Sequence, residues 1–92
     1  MKHYNTKEMI NSLTGKNKAF ISRIDKQQRE KYGNNDIFDA WVDNNEVEIQ
    51  FGDYSITFFM RDGVVFDTLG NGQGHKYHKS LEGCAVELYN KK

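Results

Sequence analysis

The sequence has no proline, a single cysteine and no long apolar run, and each shortage narrows what the chain can be. The lone Cys84 excludes an intramolecular disulfide framework and fits a reducing compartment. The longest apolar stretches, around Ile56 to Met60, fall far short of the ~20 residues that span a bilayer, so no membrane segment is expected. Asn5, Thr6, Lys7 and Glu8 stand where a signal peptide would need an unbroken apolar run; no export signal is read, and a cytoplasmic location is expected. The missing proline, beside abundant Asn and Lys, reads as compositional bias of the source genome as much as a structural choice. It carries no functional inference.

What is present is enough for one core. A chain of 92 residues falls within the range of a single domain, here 1–92, and buries roughly 60 to 65% of its unfolded surface. Only 37% of residues are hydrophobic, yet six Phe, five Tyr and one Trp supply large apolar side chains that can build a core without cross-links.

The charges cancel overall, 13 Lys and Arg against 13 Asp and Glu, but they are segregated. Met1 to Tyr32 carries eight Lys/Arg against Glu8, Asp25 and Glu30, whereas Gly33 to Thr68 carries eight Asp/Glu against Arg61. The tail from Leu69 is mildly basic again. Such asymmetry marks interaction surfaces without naming the partner.

Turn residues and hydrophobic spacing place the elements. Asn5 with Glu8 three residues on is a capping-box variant that opens a short first helix over Met9, Ile10 and Leu13, with Gly15 as its stop. A second helix is expected from about Lys18 to Tyr32, with Asn17 as N-cap, Phe20, Ile21 and Ile24 inward, and Lys26 to Lys31 solvated. The centre, about Ile37 to Leu69, alternates as an antiparallel β-meander. Asn44-Asn45 suits a type I′ turn and Gly52-Asp53 a type II′ turn. These turns pair Val42 with Val47, Ala40 with Ile49, Phe38 with Phe51, Phe51 with Tyr54, Ile49 with Ile56 and Val47 with Phe58, all on one face.

At Arg61-Asp62-Gly63 two registers compete. A two-residue turn sets Asp67 against Phe58 on the buried side. A G1 bulge at Gly63 pairs Met60 with Val64 and Phe58 with Phe66 and turns Asp67 outward, which is preferred because burying an unpaired carboxylate costs several kcal/mol. Leu81, Ala85 and Leu88 favour a C-terminal helix over a short strand. The expected fold is therefore α+β: a four-stranded antiparallel meander with two N-terminal helices and the C-terminal element on one face.

Alternation then puts Asp39, Trp41, Asp43, Glu46, Glu48, Thr57, Phe59, Val65 and Asp67 on the opposite face. Two aromatics among carboxylates make a protein-binding surface, with Asp39, Trp41, Asp43, Glu46, Glu48, Phe59 and Asp67 as its candidate residues. A plainer account stands beside it: second-face aromatics covered by a loop or terminus, and strand charges that discourage aggregation. An acidic sheet can also occupy a basic groove that normally holds nucleic acid. The leading expectation is accordingly a non-enzymatic protein-binding module, in one concrete form a phage or mobile-element inhibitor of anti-CRISPR or anti-restriction type directed at a host nuclease. A homodimer through either expected edge, Ile37 to Asp43 or Val64 to Leu69, is a further option.

The other unusual stretch, Leu69 to Ser80, alternates glycines and then offers His75, Lys76, His78 and Lys79. Its chemistry could hold a phosphate, although its spacing is neither a Walker loop nor a dinucleotide fingerprint. In the alternative reading, His75 and His78 act as general acid and base of a small metal-independent ribonuclease or toxin, Lys76 or Lys79 stabilises charge, and Asp67 adds a carboxylate. His3, His75, His78 and Cys84 match no zinc spacing, so no metal and no cofactor are expected. The basic residues Lys16, Lys18, Arg23, Lys26, Arg29 and Lys31 spread around the second helix, and direct nucleic-acid binding is not expected from them.

Overall fold

The computed structural model describes residues 1–33, 36–70 and 74–91, without side chains for residues 74 and 75. Its elements are β1 (Lys2–Asn5), α1 (Thr6–Ser12), α2 (Gly15–Tyr32), β2 (Phe38–Val42), β3 (Glu46–Phe51), β4 (Tyr54–Arg61), β5 (Val64–Gly70), a short 3-10 helix (Gly74–Tyr77) and α3 (His78–Asn90). The α+β architecture is as expected, with one strand more: an antiparallel sheet in the order β1-β2-β3-β4-β5. Among the described residues no helix is long and apolar enough to cross a membrane.

The added strand is β1, which pairs with β2 from Lys2–Val42 to Asn5–Asp39. Four residues with only Tyr4 turned into the core carry too little periodicity to announce a strand. Asn5 ends β1 and caps α1 at once. Its side chain accepts the Glu8 amide at 2.9 Å while Glu8 accepts the Asn5 amide at 3.0 Å, the expected capping box. Thr6 follows, fully buried, and its hydroxyl accepts the Ile37 and Phe38 amides at 3.0 and 2.8 Å and donates to the Phe38 carbonyl at 3.1 Å. One hydroxyl thus fastens the start of α1 to the start of β2 and satisfies backbone groups that no strand reaches.

Helix α2 starts at Gly15 rather than Lys18, and its N-cap is Thr14, not Asn17. Asn17 instead reaches α3: its amide donates to the Gly83 carbonyl at 3.3 Å and to Glu87 at 2.9 Å. The approach is close enough that a Cβ on Gly83 would lie 2.9 Å from the Asn17 side-chain oxygen. That contact accounts for a glycine inside a helix that its presence would otherwise weaken.

Every pairing anticipated between Phe38 and Phe58 is present. The turns differ in detail. Gly52 has φ +57 and Asp53 does not share its sign, consistent with type II′, but Asn44 and Asn45 both keep negative φ. That connection is closed by the Asp43 amide donating to the Glu46 carbonyl at 2.9 Å, and the Asp43 carboxylate accepts the Asn44 amide at 2.8 Å. The third turn is the two-residue one: Asp62 and Gly63 have φ 56 and 79, a type I′ geometry that pairs Arg61 with Val64. The expected G1 bulge is absent, yet Asp67 still faces out. The ladder shifts between Phe59 and Met60, leaving Phe66 as the extra residue and placing Asp67 opposite Phe59. The two-residue turn carries Val65 to the core side, opposite Met60 and packed against the core, which corrects its expected outward position, and Val64 and Phe66, expected to face inward, are exposed.

All three helices pack on one side of the sheet. Met9, Leu13, Ile21, Leu81, Cys84, Ala85 and Leu88 meet Phe38, Ala40, Val47, Ile49 and Phe58, each under 2% exposed. Cys84 is a small core residue whose thiol is pushed up to about 12, first by burial and then by nearby Glu87, so it is held as an unreactive thiol. Because β1 covers β2, the sheet edges are β1 and β5, and Ile37 to Asp43 is not an edge.

Candidate functional site

The outer face of the sheet is built by the alternate residues of the strands whose partners form the core. Trp41 of β2 lies opposite Glu48 of β3 and opposite His3 of β1; Glu46 of β3 lies opposite Phe59 of β4, which in turn faces Asp67 of β5. Phe59 is therefore flanked by carboxylates on both neighbouring strands, and Trp41 by a carboxylate on one and His3 on the other. Asp39, Trp41, Asp43, Glu46, Glu48, Phe59 and Asp67 all fall on this face, as the alternation implied, and the described helices lie on the other.

The face has two centres. At one end Met1, Trp41, Asp43, Glu46 and Glu48 line an open depression of about 260 Å³. Trp41 is half-buried, with the His3 ring 5.1 Å away and tilted against it. His3 Nε2 lies 2.8 Å from Asp39 Oδ1, a solvent-exposed contact that orients the imidazole more than it stabilises the fold. The covering of a second-face aromatic by a terminus is thus partly realised: β1 shields one flank of the indole and leaves the flank toward Glu48 open. At the other end Phe59 packs 6.5 Å from the exposed Phe66, and the Arg61 guanidinium lies 4.2 Å over the Phe66 ring. Leu69, opposite Thr57, is 68% exposed beside it.

Charge on this face is one-sided. Asp39, Asp43, Glu46, Glu48 and Asp67 share it with Arg61 and with His3, which is cationic only when protonated. Asp67 accepts the Thr68 amide at 2.9 Å and is otherwise directed to solvent. His3, Phe66 and Arg61 were not expected on this face from the sequence. Phe66 was expected inward, opposite Phe58; the structure pairs Phe58 with Thr68 instead and leaves Phe66 exposed as the extra residue of the bulge, an orientation that a regular register does not contain.

The loop residues do not converge in the same way. His78 stacks on Phe58 with centroids 5.6 Å apart and planes 10° from parallel, on the helix side of the sheet, while Asp67 stands on the outer side. His78 Nε2 is buried without a hydrogen-bond partner among the described residues. Lys76 lies over the Tyr77 ring at 5.4 Å, and Lys79 opens toward α2. The side chain of His75 lies outside the described residues. An acid–base pair with an assisting Asp67 is therefore not assembled by the described groups, since the sheet separates the carboxylate from His78. No cluster of three His, Cys, Asp or Glu able to hold a metal occurs among the described residues.

No family model matches this chain, and comparison with curated proteins and with solved structures returns no match.

Proposed function

We propose that the protein is a non-enzymatic binding module whose outer sheet face docks on a basic surface of another protein. The observation that supports this most directly is the placement of five carboxylates around Trp41 and Phe59 on the face opposite the helices. Folding explains the inner face but demands nothing of the outer one beyond solubility, and aromatics are poor choices for solubility. Trp, Phe and Arg anchors inside a charged rim are the composition of a binding hot spot, and negative potential speeds association with a positive partner.

The partner of best-matched chemistry is a protein whose cationic groove ordinarily holds nucleic-acid phosphates, which the carboxylates would replace. A phage or mobile-element inhibitor of a host nuclease is the concrete form of this proposal. The test is affinity capture from nuclease-treated bacterial lysate with wild type, Trp41→Ala and the double variant Glu46→Gln/Glu48→Gln. Support consists of a stoichiometric partner that both variants lose, by ~2 kcal/mol or more at the anchor, and whose own nucleic-acid binding is blocked by the wild type. Capture that neither variant weakens refutes the sheet-face reading.

A further inference from the structure

On the helix side, α2 and α3 run antiparallel in contact, from Asn17 against Gly83 to the Phe20 ring 5.8 Å from Tyr77. The furrow between them is an open groove of about 590 Å³, lined by Lys16, Arg23, Lys79, Ser80, Asn17 and the carboxylate of Glu82 among others. Read along α2 alone, its cations scatter around the helix. Tertiary packing selects two of them, Lys16 and Arg23, seven residues apart and so two turns along one face, and sets Lys79 of α3 across from them. None of the three makes an ion pair with a described residue, and the Arg23 guanidinium is held 5.8 Å over the Phe20 ring.

We infer that this groove binds the phosphate backbone of a single nucleic-acid strand, without reading its sequence. Three cations face one carboxylate, so the groove carries net positive charge in a protein whose sum is zero. Lys16 and Arg23 are spaced by about 10 Å along the helix axis, which suits an extended polyanion better than a single compact anion. The furrow between two helices in contact admits one strand rather than a duplex. Phe20 is only 7% exposed, so no aromatic platform is offered to the bases, and the contacts would fall on phosphates. The acidic sheet face lies on the other side of the molecule, leaving the two surfaces free to act independently.

The experiment is fluorescence anisotropy of a labelled single-stranded oligodeoxyadenylate titrated with the full chain between about 50 and 200 mM KCl. Three phosphate contacts predict a slope of log K against log salt near −2, and each of Lys16→Gln, Arg23→Gln and Lys79→Gln should lower that slope by about 0.7 with a several-fold loss of affinity. These side chains are exposed, and unchanged circular dichroism would show that the fold persists. Trp41→Ala should bind the oligonucleotide as wild type does. The inference is overturned by absence of binding at the lowest salt, by a salt slope that the three variants leave unchanged, by loss of binding in Trp41→Ala, or by equal affinity for a duplex.

Discussion

The two faces of the β-sheet are made by the same strands, yet they obey different rules. Phe58 and Phe59 are neighbours in the chain; Phe58 is fully buried under His78 and the helices, while Phe59 is half-buried between Glu46 and Asp67. The inner face is determined by the need to remove apolar surface from water, worth ~25 cal/mol per Å². The outer face is under no such demand, so its aromatics and carboxylates are where function is to be sought. Under the proposed function, folding and recognition fall to alternate residues of the same segment.

The sharpest way to break this comparison is to truncate each neighbour in turn. Phe58→Ala should cost ~3–5 kcal/mol, much of the stability of a domain this size, whereas Phe59→Ala should cost only about 1 kcal/mol. Urea unfolding midpoints check both, and an equal loss in the two variants would mean that the outer face is also a structural core. The next largest effect belongs to Thr6. Thr6→Val preserves shape but strands the Ile37 and Phe38 amides without their acceptor, for an expected loss of ~2–3 kcal/mol. A loss under ~0.5 kcal/mol would show that these amides find water or another acceptor.

Glu87 sharpens the comparison on the helix side. Burial alone would raise its carboxyl, but hydrogen bonds from Asn17, Thr14 and Lys91 outweigh that and hold it down at about 2, against an ordinary 4.5. The charged form is therefore the one the fold favours. Its contribution is complete above pH 4.5 and is lost as pH falls from there toward 2. Allowing for solvent screening of the part-exposed side chain, Glu87→Gln should cost ~1–2 kcal/mol at pH 7, and the gap to wild type should narrow below pH 4.5 and close only as pH falls through about 2. A gap independent of pH would assign the loss to packing instead. Smallest of all, Glu46→Gln/Glu48→Gln should change stability by no more than ~0.5 kcal/mol while weakening partner capture, because these half-buried carboxylates lie on the face turned away from the core and the substitution keeps their shape. Equal losses of stability and binding would collapse the distinction between the faces.

How legible the molecule was in its sequence follows the same division. The pairing from Phe38 through Phe58 could be written in advance because two short turns and a period of two agree on one register. The capping box at Asn5 and Glu8 is a local device and was equally readable. The third turn shows where local reasoning stopped. The argument that a carboxylate would not be buried correctly placed Asp67 outside, but the chain achieves it with a type I′ turn and a later bulge at Phe66, rather than a bulge at Gly63. The two solutions share the same local residues and differ only in which ladder positions pack well against the rest of the fold. Of the candidate site, the acidic and aromatic residues of β2 to β4 were foreseen; His3 and Phe66 were not, since β1 has one inward residue and the bulge breaks the alternation on which the reading depended.

Taken alone, the sequence determined the α+β class, the central register, the core-facing residues of β2 to β4 and the acid-rich character of their other side, because each of these rests on spacing within one segment. Tertiary structure alone decided that Lys2 to Asn5 closes an edge beside Asp39 and Trp41, that Asn17 leaves its expected cap for Glu87, and that Lys16, Arg23 and Lys79 share a groove. Those are meetings of distant segments. They depend on which surfaces bury together, and that is settled by the packing of the whole chain and by no local period.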